Sequence, residues 1–192
     1  MVFFDYVVKN RTIRRFNTAK LVTDADLEYC LRCASMVASA GNLQRLRYVT
    51  VTGAEARRSF SNIALGGCLP PEKKPGADVA PTAYIVLTSQ SENPDANLLI
   101  DAGIAAEAIT LSATELGIGA CIIRNFSREY FSLLATEAFP NPILVIALGF
   151  PAEEAKTIEV SVGDSLKYYK NDEDVNVVPK LTVEELVVNK FR

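Results

Sequence analysis

The stretch DANLLIDAGIAAEAITLSATEL (residues 95–116) decides how the rest of this chain is read. Its apolar residues, among them Leu98, Leu99, Ile100, Ile104, Ala105, Ile109 and Leu111, cover nearly every face of a helix. The spacing predicts the longest helix of the chain, from Asp95 to Leu116, with Gly117 as its C-terminal cap. A surface helix keeps a polar face; one without it is central. In a chain this small such a helix is expected to pack on a neighbouring subunit as well as on its own sheet.

Working outward, TDADLEYCLRCASMVAS opens with Thr23 and has Asp26 three places on, the start of a capped helix with Leu27, Cys30, Leu31, Ala34 and Ala38 at helical spacing. RYVTVT (47–52) and TAYIVLTS (82–89) read as strands, with the helical EARRSFSNIAL between them. GGCLPPEKKPGADVAP has too much Gly and Pro for regular structure and reads as a covering loop. Beyond the long helix, ACIIRNF is a strand, SREYFSLLA a helix starting at Ser127, and PILVIALGFP the most hydrophobic strand. KYYKNDEDVNVVPK is an arm or a hairpin, and Thr182 with Glu185 caps a last short helix. The order is helix, strand, helix, strand, long helix, strand, helix, strand, tail. It predicts an α+β sandwich with a mixed sheet.

A length of 192 residues favours one domain, residues 1–192, with a core that needs neither disulfide nor metal. A net charge of −3 and the absence of His suggest no basic face, so no nucleic-acid partner is expected. MVFFDYVVKNR places its charges after the apolar residues, the reverse of a signal peptide, and no long uncharged apolar run reads as a membrane span. A cytoplasmic protein is expected. Cys30 and Cys33 form a C-x-x-C, open to zinc or redox chemistry, yet they lie inside a helix rather than at its N-terminus. Cys68 and Cys121 stand far apart and make no second pair, so all four read as small hydrophobes and no metal is expected.

Without His there is no Ser–His–Asp or Cys–His pair and no H-E-x-x-H site. LGIGACI (116–122) matches a dinucleotide fingerprint only at its first two glycines; Ile122 takes the third place, and Gly117 and Gly119 read as cap and turn. Any chemistry here is expected to belong to a bound cofactor, with no catalytic side chain. NRTIRRF (10–16) brings Arg11, Thr12 and Arg14 together, two guanidinium groups flanking a hydroxyl, which suits a phosphate or a solvated basic patch. In ASAGNLQRL (38–46), Ser39, Gly41, Asn42 and Gln44 offer donors and acceptors without bulk, which suits a flat ring with a polar edge or a plain loop.

Together these segments resemble the FMN-dependent nitroreductase family, in particular its short bacterial members, over nearly the whole chain. NRTIRRF is similar to that family's R-R-S-x-R-x-F, ASAGNLQRL to P-S-x-x-N-x-Q-P-W, LGIGACIIRNF to L-G-x-G-x-C, and KYYKNDEDVNVVPK to Y-Y-x-D-E-x-G-x-x-x-V-P-K. The resemblance implies a three-layer sandwich with a mixed, mainly antiparallel central sheet, a long buried helix and a domain-exchanged C-terminal arm. It also implies a homodimer with two FMN sites at the subunit interface. Arg11, Thr12 and Arg14 would then bind the FMN phosphate and ribityl chain, and Ser39 and Asn42 would approach from the partner subunit. The backbone of Ile122, Ile123 and Arg124 would face the ring, and Lys180 would reach the phosphate. The chain departs from the pattern at Asn10, where the first Arg of the motif stands, at Ala38 for Pro, at Arg45–Leu46 for Pro–Trp, and at Leu181.

The implied activity is an oxidoreductase working in two half-reactions. NADH or NADPH gives hydride to flavin N5, then leaves, and a small aromatic acceptor such as a nitroaromatic or quinone takes its place. Loop 66–81, with Lys73 and Lys74, either shapes the choice of acceptor or is a solvated loop. Two other readings stay open: a protein that holds FMN without turnover, and a non-reductive branch of the same family.

Overall fold

The computed structural model describes residues 2–67 and 69–191; Cys68 lies outside them. The predicted succession runs in order: α2 (Asp24–Ser35), β1 (Arg47–Val51), α3 (Gly53–Ser59), β2 (Ala83–Ser89), α4 (Ala96–Glu115), β3 (Gly119–Ile123), α5 (Arg128–Leu134) and β4 (Asn141–Gly149). An N-terminal helix α1 (Phe3–Lys9), outside the predicted succession, precedes it. The tail forms β5 (Ala155–Val160), β6 (Tyr169–Lys170), β7 (Asn176–Leu181) and α6 (Val183–Leu186).

Local chemistry sets the helix ends. The Thr23 hydroxyl accepts the Asp26 amide while the Asp26 carboxylate accepts the Thr23 amide, the reciprocal box read from sequence. Asp95 accepts the Leu98 amide at the start of α4. At its far end Gly117 sits at φ 72°, with Gly117 N–H on Thr114 O and Ile118 N–H on Ala113 O, a Schellman close. Ser127 caps α5 through the Tyr130 amide.

The central sheet has strand order β1-β2-β4-β3 and is antiparallel throughout. A parallel bridge joins Thr12 to Ala120 at its β3 edge, and a second sheet, β5-β7-β6, adds a parallel pair, where β7 runs parallel to β5 after the β6–β7 hairpin turns the chain back. Strand alternation divides the core between two faces. Ile85, Leu87, Ile146 and Leu148 pack under α2 and α4, whereas Tyr84, Val86, Val145 and Ala147 face Phe131 of α5 and Ala56 of α3. Three layers result. Cys30 is buried in the α2–α4 layer, its thiol pushed up by burial. By length and composition α4 could cross a bilayer, but its seat on the sheet accounts for its apolarity.

One segment joins the layers. Asn10 caps the end of α1 and binds α4 on one side of the sheet. The chain then passes the edge strand β3, where Thr12 bridges Ala120 and the Ile13 amide donates to Ala120 O at 2.9 Å. Ile13 and Phe16 end in the core of the opposite face. Their seat is a notch made by Gly119 and Gly149, which are register partners across β3 and β4. A Cβ on Gly119 would lie 2.8 Å from Ile13 Cγ1, and one on Gly149 would lie 2.8 Å from Phe16 Cδ1. Gly119 is thus a close-approach glycine within a strand, where a turn was expected.

Phe16 is fully buried and cannot yield easily. Gly149→Ala is therefore expected to cost about 1–3 kcal/mol through overpacking. Urea unfolding should show a lower midpoint at an unchanged slope; an unmoved midpoint would refute the notch.

Candidate functional site

The basic segment leaves α1 at Asn10, whose side chain is fully engaged. Its Nδ2 donates to Glu107 Oε1 (3.0 Å) and Thr110 Oγ1 (2.9 Å), and its Oδ1 accepts from Thr114 Oγ1 (3.5 Å). The departure at this position thus ties the segment to α4. Arg11 is half-buried and folds back so that Nη2 donates to Val7 O at 2.5 Å. Its Nε is buried without a hydrogen-bond partner. Burial lowers the pKa of Arg11, and the charge of Glu107 opposes that shift. A desolvated cation with an unused donor is the environment that an anionic group relieves.

Thr12 is exposed beside β3. The Arg14 amide donates to Glu153 Oε1 at 2.5 Å, and its guanidinium lies 5.5 Å from the centre of the Tyr168 ring. The Arg15 amide reaches the same oxygen at 3.1 Å, and Asn176 Nδ2 donates to Glu153 Oε2 at 2.9 Å. Glu153 therefore fastens the second sheet to the basic segment. Arg11 and Arg14 share that segment but serve different neighbours.

The loop after α2 is tightly built. Asn42 and Gln44 adopt φ 53° and 48°, left-handed values that cost a non-glycine residue roughly 1–3 kcal/mol each. Several bonds hold them: Asn42 N–H to Ser39 O (2.9 Å), Gln44 N–H to Ser39 Oγ (3.2 Å), and Gln44 Nε2 to Asn42 Oδ1 (3.1 Å). The Ala40 amide donates to Asp101 Oδ1 at 2.9 Å. Asp101 is only 3% exposed, and its Oδ2 is buried without a hydrogen-bond partner. Arg45 closes the loop with two bonds to Asp95 at 2.7 and 3.0 Å, so the residue in place of Pro clamps the start of α4.

Ile122 is 43% exposed on the edge strand β3, Ile123 is buried, and Arg124 is exposed. Lys180 is exposed on β7 opposite Glu159. It lies four residues past Asn176, about 13 Å along the strand from the Glu153 junction.

Helix α4 measures the distance between the two halves. Ala40 is bonded at Asp101 and Asn10 at Thr110, about 13 Å apart along the axis. At 100° per residue, Asp101 and Thr110 lie on opposite flanks of the helix. Between them runs an exposed apolar stripe of Leu99, Ile100 and Ile104. A Cβ on Gly103, within this stripe, would meet nothing within 4 Å. The structure thus brings Arg11, Thr12 and Arg14 onto one segment and Ser39 and Asn42 onto another, and keeps the two apart within one chain.

Asp101 and Glu153 escaped the reading of the sequence. Asp101 left a signal, a carboxylate inside an apolar helix. Glu153 left none, since its amide partners are 138 and 139 residues away.

The chain belongs to the nitroreductase family, whose model matches residues 7–150. It is similar to FMN reductase (NADPH) of Bacillus subtilis strain 168, 26% identical over 163 residues, 76% of this chain. It spans 64% of that protein's length. The fold matches an FMN-dependent nitroreductase of Clostridium difficile R20291 with TM-score 0.65 and 22% identity, covering 98% of this chain and 99% of that one. It also matches a nitroreductase-type protein of Desulfovibrio desulfuricans, solved in complex with FMN, with TM-score 0.67 and 17% identity, over 100% and 98% of the two chains.

The loop clamp makes a pH prediction. Arg45, and next the Leu98 amide, hold the Asp95 carboxyl down to about 2. A depressed carboxyl stabilises the fold above its unfolded pKa near 3.8, and that contribution fades as pH falls towards 2. Asp95→Asn should therefore lower the thermal midpoint at pH 5–7, with the gap to the wild type closing by about pH 2. A gap of constant size across that range would count against the pairing.

Proposed function

We propose that this chain is an FMN-dependent oxidoreductase. It takes electrons from NADH or NADPH and passes them to a flat aromatic acceptor, a nitroaromatic or a quinone, in two successive half-reactions. It works as a homodimer with two shared sites. The observation that carries this reading is the placement of the two binding segments on opposite flanks and opposite halves of the α4 stripe. In this reading the partner packs on the exposed face of α4 around Gly103, and the Ser39–Gln44 loop of one protomer meets the Arg11–Arg14 segment of the other. A glycine in a helix interior costs about 1 kcal/mol relative to Ala, and close approach of a second backbone is a reason to keep it.

The residues present fit FMN. Arg11, with its buried unused Nε, would hold a phosphate oxygen, and Thr12 and Arg14 would bind further along the cofactor. Ser39 and Asn42 of a second copy would meet the polar edge of the ring. The edge strand at Ile122–Arg124 would offer backbone groups to it. When bound, FMN supplies the centre that accepts and donates hydride. The side chains supply orientation, charge and exclusion of water. Val183, Leu186, Val188 and Phe191 are exposed beyond β7, and we assign this apolar segment to the surface of the partner as the exchanged arm, with Lys180 at its root.

The purified protein should be yellow, and NADH or NADPH added without oxygen should bleach it, with colour returning on addition of a quinone. A yellow protein that resists bleaching would make it an FMN carrier instead. Replacing both Arg11 and Arg14 by Ala removes two charge-assisted contacts of about 1.5–3 kcal/mol each, so FMN affinity should fall roughly 100-fold or more. Unchanged flavin content in that variant would remove the phosphate assignment. Light scattering should report a dimer; a monomer carrying a full complement of flavin would contradict the shared site.

A further inference from the structure

Beside the basic segment lies a cleft of about 620 Å³, within the range that takes a small ligand. Its lining shares only Arg14 with the residues assigned to FMN above. Leu69, Pro70 and Pro75, from the loop read as a cover, give it apolar walls, and Tyr169 of β6 and Tyr168 just before it line the other side.

Its charges are unevenly satisfied. Of the three lining carboxylates, Glu153 is taken up by the amides of Arg14 and Arg15 and by Asn176, and Asp174 is ion-paired with Lys170 at 2.6 Å. Only Glu72 remains. Against it stand four cations outside any ion pair among the described residues. Arg14 stacks on Tyr168, and Arg15 donates to the neutral carbonyl of Lys73 at 3.2 Å. Lys73 and Lys167 line the cleft, and their ammonium groups have no hydrogen-bond or ion-pair partner among the described residues. A net positive pocket on a chain of net charge −3 is a local arrangement. Concave apolar walls strengthen its field and draw in anions.

We infer that this cleft selects electron acceptors whose flat aromatic ring carries a carboxylate or sulfonate, with Arg15, Lys73 and Lys167 determining that specificity. The inference rests on the oxidoreductase reading and names the substrate class of its second half-reaction. Apolar walls and a tyrosine suit the ring; unpaired cations suit its anionic substituent. An anion on an aromatic body also describes FMN and the nicotinamide donor, so the test separates all three.

The triple variant R15Q/K73Q/K167Q changes only exposed or half-exposed side chains. Binding of para-nitrobenzoate and its neutral counterpart para-nitrobenzamide is measured by titration calorimetry on the FMN-loaded protein, and KM for each is measured in turnover. The wild type should prefer the benzoate by roughly tenfold, a preference shrinking as salt is raised. The variant should lose that preference while keeping its FMN content and its KM for the nicotinamide donor. Equal binding of the two compounds by the wild type overturns the inference, as does a variant whose loss falls on FMN content or on donor KM. Preferential binding without turnover leaves the anion-selective cleft standing and removes the oxidoreductase reading, so the two failures are distinguishable.

Discussion

The structure depends on a steric allowance at one end of the sheet. Gly119 and Gly149 face each other across β3 and β4, and the missing side chains let Ile13 and Phe16 lie directly on the backbone. Without that notch the segment from Asn10 to Phe16 could not round the edge of the sheet from the α4 layer to the opposite core. Arg11, Thr12 and Arg14 would then lose their fixed positions. The candidate binding residues are thus placed by the packing of their apolar neighbours in sequence. Charged groups on a free strand would carry too much conformational entropy to grip an anion well.

Helix α4 does two jobs with one sequence. Leu98, Ala102, Ala105, Ile109 and Ala113 seat it on the sheet, while Leu99, Ile100 and Ile104 look outward. Its polar residues mark where the flanking segments attach: Asp95 holds Arg45, Asp101 holds Ala40, and Glu107 with Thr110 holds Asn10. The helix therefore fixes both halves of the candidate site at a set separation.

The departures from the family pattern become intelligible in this light. Asn10 gives up a charge and gains three hydrogen-bond contacts with α4, which leaves Arg11, partly desolvated and with an unused donor, as the cation at that point. Arg45 replaces the rigidity of a proline with a two-bond clamp on Asp95. Exposed ion pairs contribute little to stability, so its worth lies in fixing the loop against the helix start.

Sequence alone determined what depends on near neighbours. The caps at Thr23, Asp95, Ser127 and Thr182, the glycine close of α4, the apolar runs of β2 and β4 and the order of elements follow from contacts a few residues apart, where local propensity and periodicity act. The two candidate segments are legible for the same reason, since each packs its polar groups into a short run. Tertiary structure decided the rest. It turned Gly119 from a turn residue into a packing notch, gave Asp101 and Glu153 their backbone partners, and sent Arg11 and Arg14 to different neighbours. It also gathered Arg15, Lys73 and Lys167 round one cleft. Apart from the bond of Arg11 to Val7, four places back, these positions are set by residues tens to more than a hundred places distant, and only the folded core specifies which of them meet.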